Sequence, residues 1–237
     1  MHIEGFEKYS GFKKRYLTLD REPFFELAAG HILPEYKVIL DIGCGEGDFF
    51  IYLRNRGLVN DNVYLLDGNQ ITVDKNKELT EKSLFYLAPE KLPFENQAVD
   101  FIHISHLVDN LGVAEFYNFL LELNRVLKPG GFLVVSTPML WSNFYDDLSH
   151  VKPYNPYVFY KYFVHQGRHS RFDKIQDNYK IENLVYRYYE LPLDEGWSAS
   201  STVLDSLFIN CRRILRKLGI RRLNKNGYTM VLKKGYE

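Results

Sequence analysis

The chain is poor in cysteine: Cys44 and Cys211 are the only two in 237 residues. One sits in a glycine-rich turn and the other in a helical pattern, which excludes a disulfide framework and points to a reducing compartment. Net charge is lacking too, since 30 Lys and Arg balance 30 Asp and Glu. No global field therefore draws the chain to nucleic acid, and only local basic patches remain. No stretch approaches the ~20 apolar residues that span a bilayer. The first residues, Met1 to Lys8, carry no apolar run of the kind a signal peptide needs. A cytoplasmic location is the expectation. Internal repeats and low-complexity linkers are also absent.

What is present is the composition of a globular protein, 46% apolar and 25% charged, long enough for one domain over 1–237 with one sizeable core. Short apolar runs alternate with helical patterns, the signature of a parallel sheet covered on both faces. Strands read as 37–42, 62–67, 83–87, 100–104 and 131–137, with 180–189 and 228–233 as an antiparallel pair at one edge. Helices are expected over 22–32, 46–56 and 113–127, the last stopped by Lys128-Pro129-Gly130-Gly131. Residues 1–36 read as an N-terminal helical cover. Residues 138–179, rich in tyrosine and phenylalanine, exceed the usual connection length and read as an acceptor-binding insertion. A second insertion covers 190–226.

The first strand runs into Asp41-Ile42-Gly43-Cys44-Gly45-Glu46-Gly47. Glycines serve where a backbone turns tightly or a ligand approaches within contact distance, and the helix start behind them adds inward-facing amides. A dinucleotide fingerprint needs glycine at position 48, which is Asp48; the third glycine is Gly47, and that disfavours NAD. Asp67, about twenty residues on, ends the second strand where a carboxylate can hold both ribose hydroxyls.

These pieces resemble, in order, the class I S-adenosylmethionine-dependent methyltransferases of small-molecule type: VILDIGCGEGDF (38–49), VYLLDGNQ (63–70), KLPFENQAVDFIHISHLVDNL (91–111) and LNRVLKPGGFLVVSTP (123–138). The resemblance covers roughly residues 36–138 and implies a Rossmann-like, doubly wound α/β fold with a mostly parallel seven-stranded sheet. It implies that Asp41 fixes the turn and reaches the cofactor's amino group through water or backbone. Gly43, Cys44 and Gly45 would lie along the methionine moiety, Asp67 would hold the ribose, and Gly68 and Asn69 would flank the adenine. Many relatives place an Asp where this chain has Ala88, so Glu90 or backbone carbonyls would replace it. Asp109-Asn110 stands where relatives often carry Glu-His. Ser105 and His106 would border the meeting point of cofactor and acceptor.

On the acceptor side, Asp147, His150, Lys152 and Pro153 form a D-x-x-H-x-(R/K)-P core similar to one in methyltransferases of polysaccharide and O-antigen clusters. Its Lys replaces the usual Arg, which weakens any bidentate anion contact. His150 reads as a general base oriented by Asp147; alternatively Asp147 caps a helix starting near Asn155 and His150 satisfies a loop carbonyl. His106 is the rival base. Among the aromatics, Tyr145 and Tyr154 are the expected acceptor contacts and the rest are packing residues. An amphipathic helix over 202–218 gathers Arg212, Arg213, Arg216 and Lys217 near its end. They complement the helix dipole or dock on anionic headgroups or a lipid-linked diphosphate. The expected activity is O-methylation of a sugar hydroxyl on a glycan or glycolipid intermediate, without nucleic acid. The alternatives are another small molecule, a protein side chain, or a silent cofactor-fold binding protein.

Overall fold

Strand β1 (Ile39–Ile42) buries all four of its side chains, as a strand must when both faces of its sheet are covered. β2 (Val63–Asp67) and β3 (Ser83–Phe85) continue the sheet in parallel on one side. β4 (Val99–Ser105) and β5 (Leu127–Pro138) do so on the other. β7 (Leu223–Lys234) then enters antiparallel between β5 and the edge strand β6 (Tyr179–Glu190), which completes the order β3-β2-β1-β4-β5-β7-β6. The computed structural model describes residues 14–141, 143–165, 172, 173, 175, 178–190, 214 and 223–236. It has the doubly wound α/β architecture that the alternation of runs predicts.

Successive strand residues point to opposite layers. Ile39, Val63, Leu65, Phe101 and Val134 pack under α1 (Glu22–Ala29) and α2 (Asp48–Asn55), meeting Phe25, Ala28, Phe49, Phe50 and Leu53. Leu40, Ile42, Ile102, Ile104 and Leu133 face α4 (Val113–Val126) through Phe116, Phe119, Leu120 and Leu123. A short polar helix, α3 (Gln70–Asn76), escaped the sequence reading because it buries only Val73 and Asn76. Asn69 starts it, its Oδ1 accepting from Ile71 N at 3.0 Å. Lys128-Pro129-Gly130-Gly131 ends α4 as expected, but inside β5: the pairing jumps from Val99↔Leu127 to Phe101↔Phe132, a bulge that absorbs the glycines.

The aromatic insertion is largely core. Phe144, Tyr154, Phe159 and Phe163 are buried, the last two on α5 (Tyr157–Phe159) and the π-helical turn that extends it. Tyr154 is therefore no acceptor contact: its hydroxyl donates to Leu111 O at 3.0 Å and its ring lies 4.1 Å from that of Phe116. Asn155, rather than Asp147, caps this helix, accepting from Tyr157 N at 3.0 Å. β7 begins at Leu223, inside the stretch expected as the second insertion. The basic cluster Arg212, Arg213, Arg216 and Lys217 lies outside the described residues. Among the described residues no helix is long and apolar enough to cross a membrane.

One buried cation closes α4. The ammonium of Lys234 donates to Asn124 O (2.7 Å) and Leu127 O (2.9 Å), carbonyls that the end of a helix leaves without partners. Lys234→Met is expected to lower unfolding free energy by about 1–3 kcal/mol, because buried acceptors lose a charged donor; urea denaturation measures it.

Candidate cofactor and acceptor site

Between β1 and β4 the strand order reverses, and the crevice beyond the strands' carboxyl ends opens there. A cavity of about 610 Å³ occupies that place. Its floor is the glycine turn. Gly43, Gly45 and Gly47 hold φ of 72°, 54° and 78°, the left-handed region that glycine enters freely. A Cβ on Gly43 would come within 3.2 Å of Leu107 Cβ, whereas one on Gly45 would meet nothing within 4 Å. Gly45 lines the cavity and leaves its face open to a ligand.

Hydrogen bonds hold this turn against β2 and α3. Gly45 N donates to Asp67 Oδ2 (3.0 Å), and Asn69 N donates to Asp67 Oδ1 (2.9 Å). A carboxylate offers about four lone-pair positions, so both Asp67 oxygens can still accept from a diol. The buried amide of Asn76 donates to Gly45 O at 2.8 Å and reaches the Cys44 sulfur at 3.4 Å. Burial, then the carboxylates of Asp41 and Asp67, pushes the Cys44 thiol up, so it packs and does not react.

Asp41 is buried beneath the turn, and its Oδ1 accepts from His103 Nδ1 at 2.8 Å. The His103 ring sits 4.0 Å from Phe49. Among the described residues Asp41 Oδ2 has no hydrogen-bond partner, and neither has Asn110 Oδ1. Both residues line the cavity. Buried acceptors without donors are costly, so the pair calls for a ligand that brings N–H groups.

Asp41, Gly43, Cys44, Gly45, Asp67, Gly68, Asn69, Ser105 and His106 all line the cavity, as the sequence analysis expects. Glu90 does not. It is exposed, its carbonyl takes the Tyr86 hydroxyl at 2.8 Å, and Leu87 supplies the wall on that side.

The acceptor residues fall differently. The Asp147 carboxylate accepts from Ser149 N (2.9 Å) and Oγ (2.8 Å) within its own loop, so it does not orient His150. His150 is a bolt between elements. Its Nδ1 lies 2.6 Å from Phe144 O and must carry the hydrogen, while Nε2 lies 3.2 Å from Asp109 Oδ2. With the hydrogen on Nδ1, the Nε2 lone pair is turned to Asp109 Oδ2 inside the fold, and His150 does not line the cofactor cavity, so the general-base reading has no reach to a reacting atom. Asp109 is fully buried; burial raises its carboxyl above the usual range. It also accepts from Thr137 Oγ1 (3.1 Å) and, through its carbonyl, from Val151 N and Lys152 N.

His106 ends β4 with φ of 53°. Arg187 Nη1 lies 3.4 Å from its Nε2 and can only donate. Burial first, then the charges of Arg187 and Arg21, pushes the ring down to about 3. The ring is neutral, its Nε2 lone pair faces a guanidinium and its hydrogen is on Nδ1. That removes the rival base as well and makes His106 a donor.

His103, Arg21, Leu107, Asn110 and Ser149 line the cavity without having been singled out as contributors. His103 was findable only through register, since it stands beside Asp41 in the β1–β4 ladder. Arg21 lies just before α1, within the helical cover, and Ser149 is delivered by the loop that Asp109 and His150 anchor.

Residues 40–135 match the family described as methyltransferase domain. The chain is 31% identical over 124 residues to the probable methyltransferase PMT15 of Arabidopsis thaliana, covering 48% of this chain and 19% of that protein. To PMT25 of the same plant it is 34% identical over 109 residues, covering 45% and 14%. The chain thus spans about a fifth or less of the length of these curated relatives. In fold it is similar to a SAM-dependent methyltransferase from Archaeoglobus fulgidus, with TM-score 0.56, 20% identity, and 91% and 95% of the two chains covered. The Bacillus subtilis protein YcgJ gives TM-score 0.57 at 13% identity, covering 95% and 100%.

Two outcomes follow from the histidines. A ring held near 3 in the fold against an ordinary 6.5 contributes stability that is present above pH 6.5 and is lost as pH falls toward 3. His106→Asn, which tolerates the left-handed backbone, should flatten that acid loss when urea midpoints are compared across pH. His150→Ala should lower unfolding free energy by about 1–3 kcal/mol by taking the donor from Phe144 O and the ring stacked on Phe144. A variant of unchanged stability would contradict the bolt.

Proposed function

We propose that the protein is a class I S-adenosylmethionine-dependent methyltransferase, a reading supported by the match of residues 40–135 to a methyltransferase domain, and that it methylates an oxygen of an acceptor seated beside His106. A sugar hydroxyl of a glycan or glycolipid intermediate is the narrower reading. The observation that carries the proposal is the single cavity where Asp67, the open face of Gly45 and the partnerless Asp41 Oδ2 meet. These residues match the polar groups of the cofactor. Asp67 would take the ribose hydroxyls, Asp41 and Asn110 would accept from the amino group, and Gly68 and Leu87 would flank the adenine.

When bound, S-adenosylmethionine supplies an electrophilic methyl group on a sulfonium. The chain's own contribution is alignment, which in well-oriented reactions is worth ~7–11 kcal/mol. Phe25, Phe49 and Leu107 give the same cavity its apolar lining. His106 presents a neutral ring to the acceptor. The sugar reading draws support from the Tyr145 ring, 61% exposed, which can stack on a sugar face, and from Ser149 at the cavity wall.

Calorimetry with S-adenosylhomocysteine tests the cofactor half. Wild type should bind, and Asp67→Asn should bind about 10–100-fold more weakly for the loss of a charged acceptor. No heat with wild type would overturn the reading. Product release on adding oligosaccharides tests the narrower half; binding of S-adenosylhomocysteine without turnover on any sugar would remove the glycan and keep the methyltransferase.

A further inference from the structure

On the acceptor side of Ser105 and His106 lies a second, small chamber of about 20 Å³, walled by Arg187, Arg21, Ser136, Thr137, Tyr228 and Thr229 among others. It shares Arg21, Phe25, Ser105 and His106 with the larger cavity. Two features of β6 and β7 place a guanidinium there. The pairing of β6 with β7 shifts register between Arg187 and Tyr188, the kind of bulge that re-aims a side chain. Opposite it stands Gly227, where a Cβ would lie only 2.9 Å from Arg187 Nη2.

Among the described residues Arg187 is a cation without a matching anion. Its Nε donates to Asn226 Oδ1 at 3.0 Å and its Nη1 to His106 Nε2 at 3.4 Å, both neutral acceptors. Among the described residues no carboxylate lies within ion-pair distance of it. Burial and the nearby Arg21 both work against its charge, and the more remote Asp109 alone favours it. Desolvating a cation this way costs free energy that an apolar residue of similar size would not. The fold nevertheless makes room for the fork with a glycine and a bulge.

We propose that Arg187 anchors a carboxylate of the methyl acceptor, so that the acceptor is an acid whose anionic group docks in the small chamber. This rests on the methyltransferase reading and names the class of molecule its site takes. A guanidinium fork pairs with carboxylates and with phosphoryl groups; the chamber favours the former, because a space of about 20 Å³ admits the leading oxygen of a planar carboxylate but not the three oxygens of a phosphoryl group. The anchor leaves the acceptor's reacting atom on the Ser105–His106 side, toward the cofactor cavity. An acid held this way arrives with its charge already neutralised by Arg187, and His106 Nδ1 remains a donor to steer it.

The test uses the protein saturated with S-adenosylhomocysteine, into which acetate, propionate or inorganic phosphate is titrated against chloride at equal ionic strength. Acetate and propionate should raise the melting temperature saturably beyond chloride. Arg187→Gln should abolish that rise, bind S-adenosylhomocysteine as tightly as wild type, and melt no lower than wild type without ligand. If Arg187→Gln fails to fold, Arg187→Lys serves, since it keeps the charge and loses the fork; its half-saturating acetate concentration should rise about tenfold or more. A response to acetate no greater than to chloride in wild type would overturn the proposal. So would an equal response in the variant, or a larger response to phosphate than to acetate. Weaker S-adenosylhomocysteine binding by Arg187→Gln would assign the cation to the cofactor's own carboxylate and overturn it too. Failure of wild type to bind S-adenosylhomocysteine is a separate result, which counts against the methyltransferase reading itself.

Discussion

The hydrogen bond from Gly45 N to Asp67 ties the turn after β1 to the end of β2, and the cofactor cavity depends on that tie. The glycines allow the left-handed backbone, but left-handed freedom alone would leave the turn loose. Asp67 supplies the acceptor that holds it, and Asn76 holds its carbonyl from the other side. Because the same carboxylate grips Asn69 N, the start of α3 is placed as well. The floor, one wall and the Asp67 oxygens that face the cavity therefore come as one unit. A cavity built on elements already pinned by hydrogen bonds needs little reorganisation when a ligand enters.

The rest of the site is arranged by pairing buried polar groups in the seam between sheet and cover. His103 serves Asp41, His150 serves the Phe144 carbonyl, and His106 faces Arg187. Each imidazole is spent on a neighbour, as the cost of an unsatisfied buried group demands. The arrangement leaves two acceptor atoms, on Asp41 and Asn110, open toward the cofactor side, and one cation open toward the acceptor side. Charge complementarity to a ligand is thus divided between the two ends of the site: electron-rich where an ammonium belongs, electron-poor where an acid would dock.

Legibility differed sharply along the chain. The strand runs at 37–42, 62–67 and 100–104, and the amphipathic helix at 113–127, reappear within one or two residues as β1, β2, β4 and α4, because each has a two-sided or one-sided apolar pattern that solvent enforces locally. Eight of the expected cofactor positions, from Asp41 to Ser105, line the cavity for a related reason: a glycine turn followed by a strand-end carboxylate is a chemical arrangement whose parts are near in sequence. Glu90 failed because an exposed acidic residue next to a motif says nothing about where its side chain points. Asp147 and His150 failed because a spacing of three suggests a pair, yet the loop folds so that Asp147 caps Ser149 while Asp109, forty-one positions away in sequence, meets the histidine.

By itself, then, the sequence determined the α/β alternation, the glycine turn and the chemistry expected of Asp67, all of which follow from backbone sterics and local hydrophobic pattern. Only the tertiary structure decided which histidines are free to act and where the unpaired cation lies. Those outcomes turn on strand register, on a bulge between Arg187 and Tyr188 and on a glycine across the ladder from it. Burial is the first cause of the shifts at His106 and Asp109, and burial is a property of what packs against a residue, not of the residue itself.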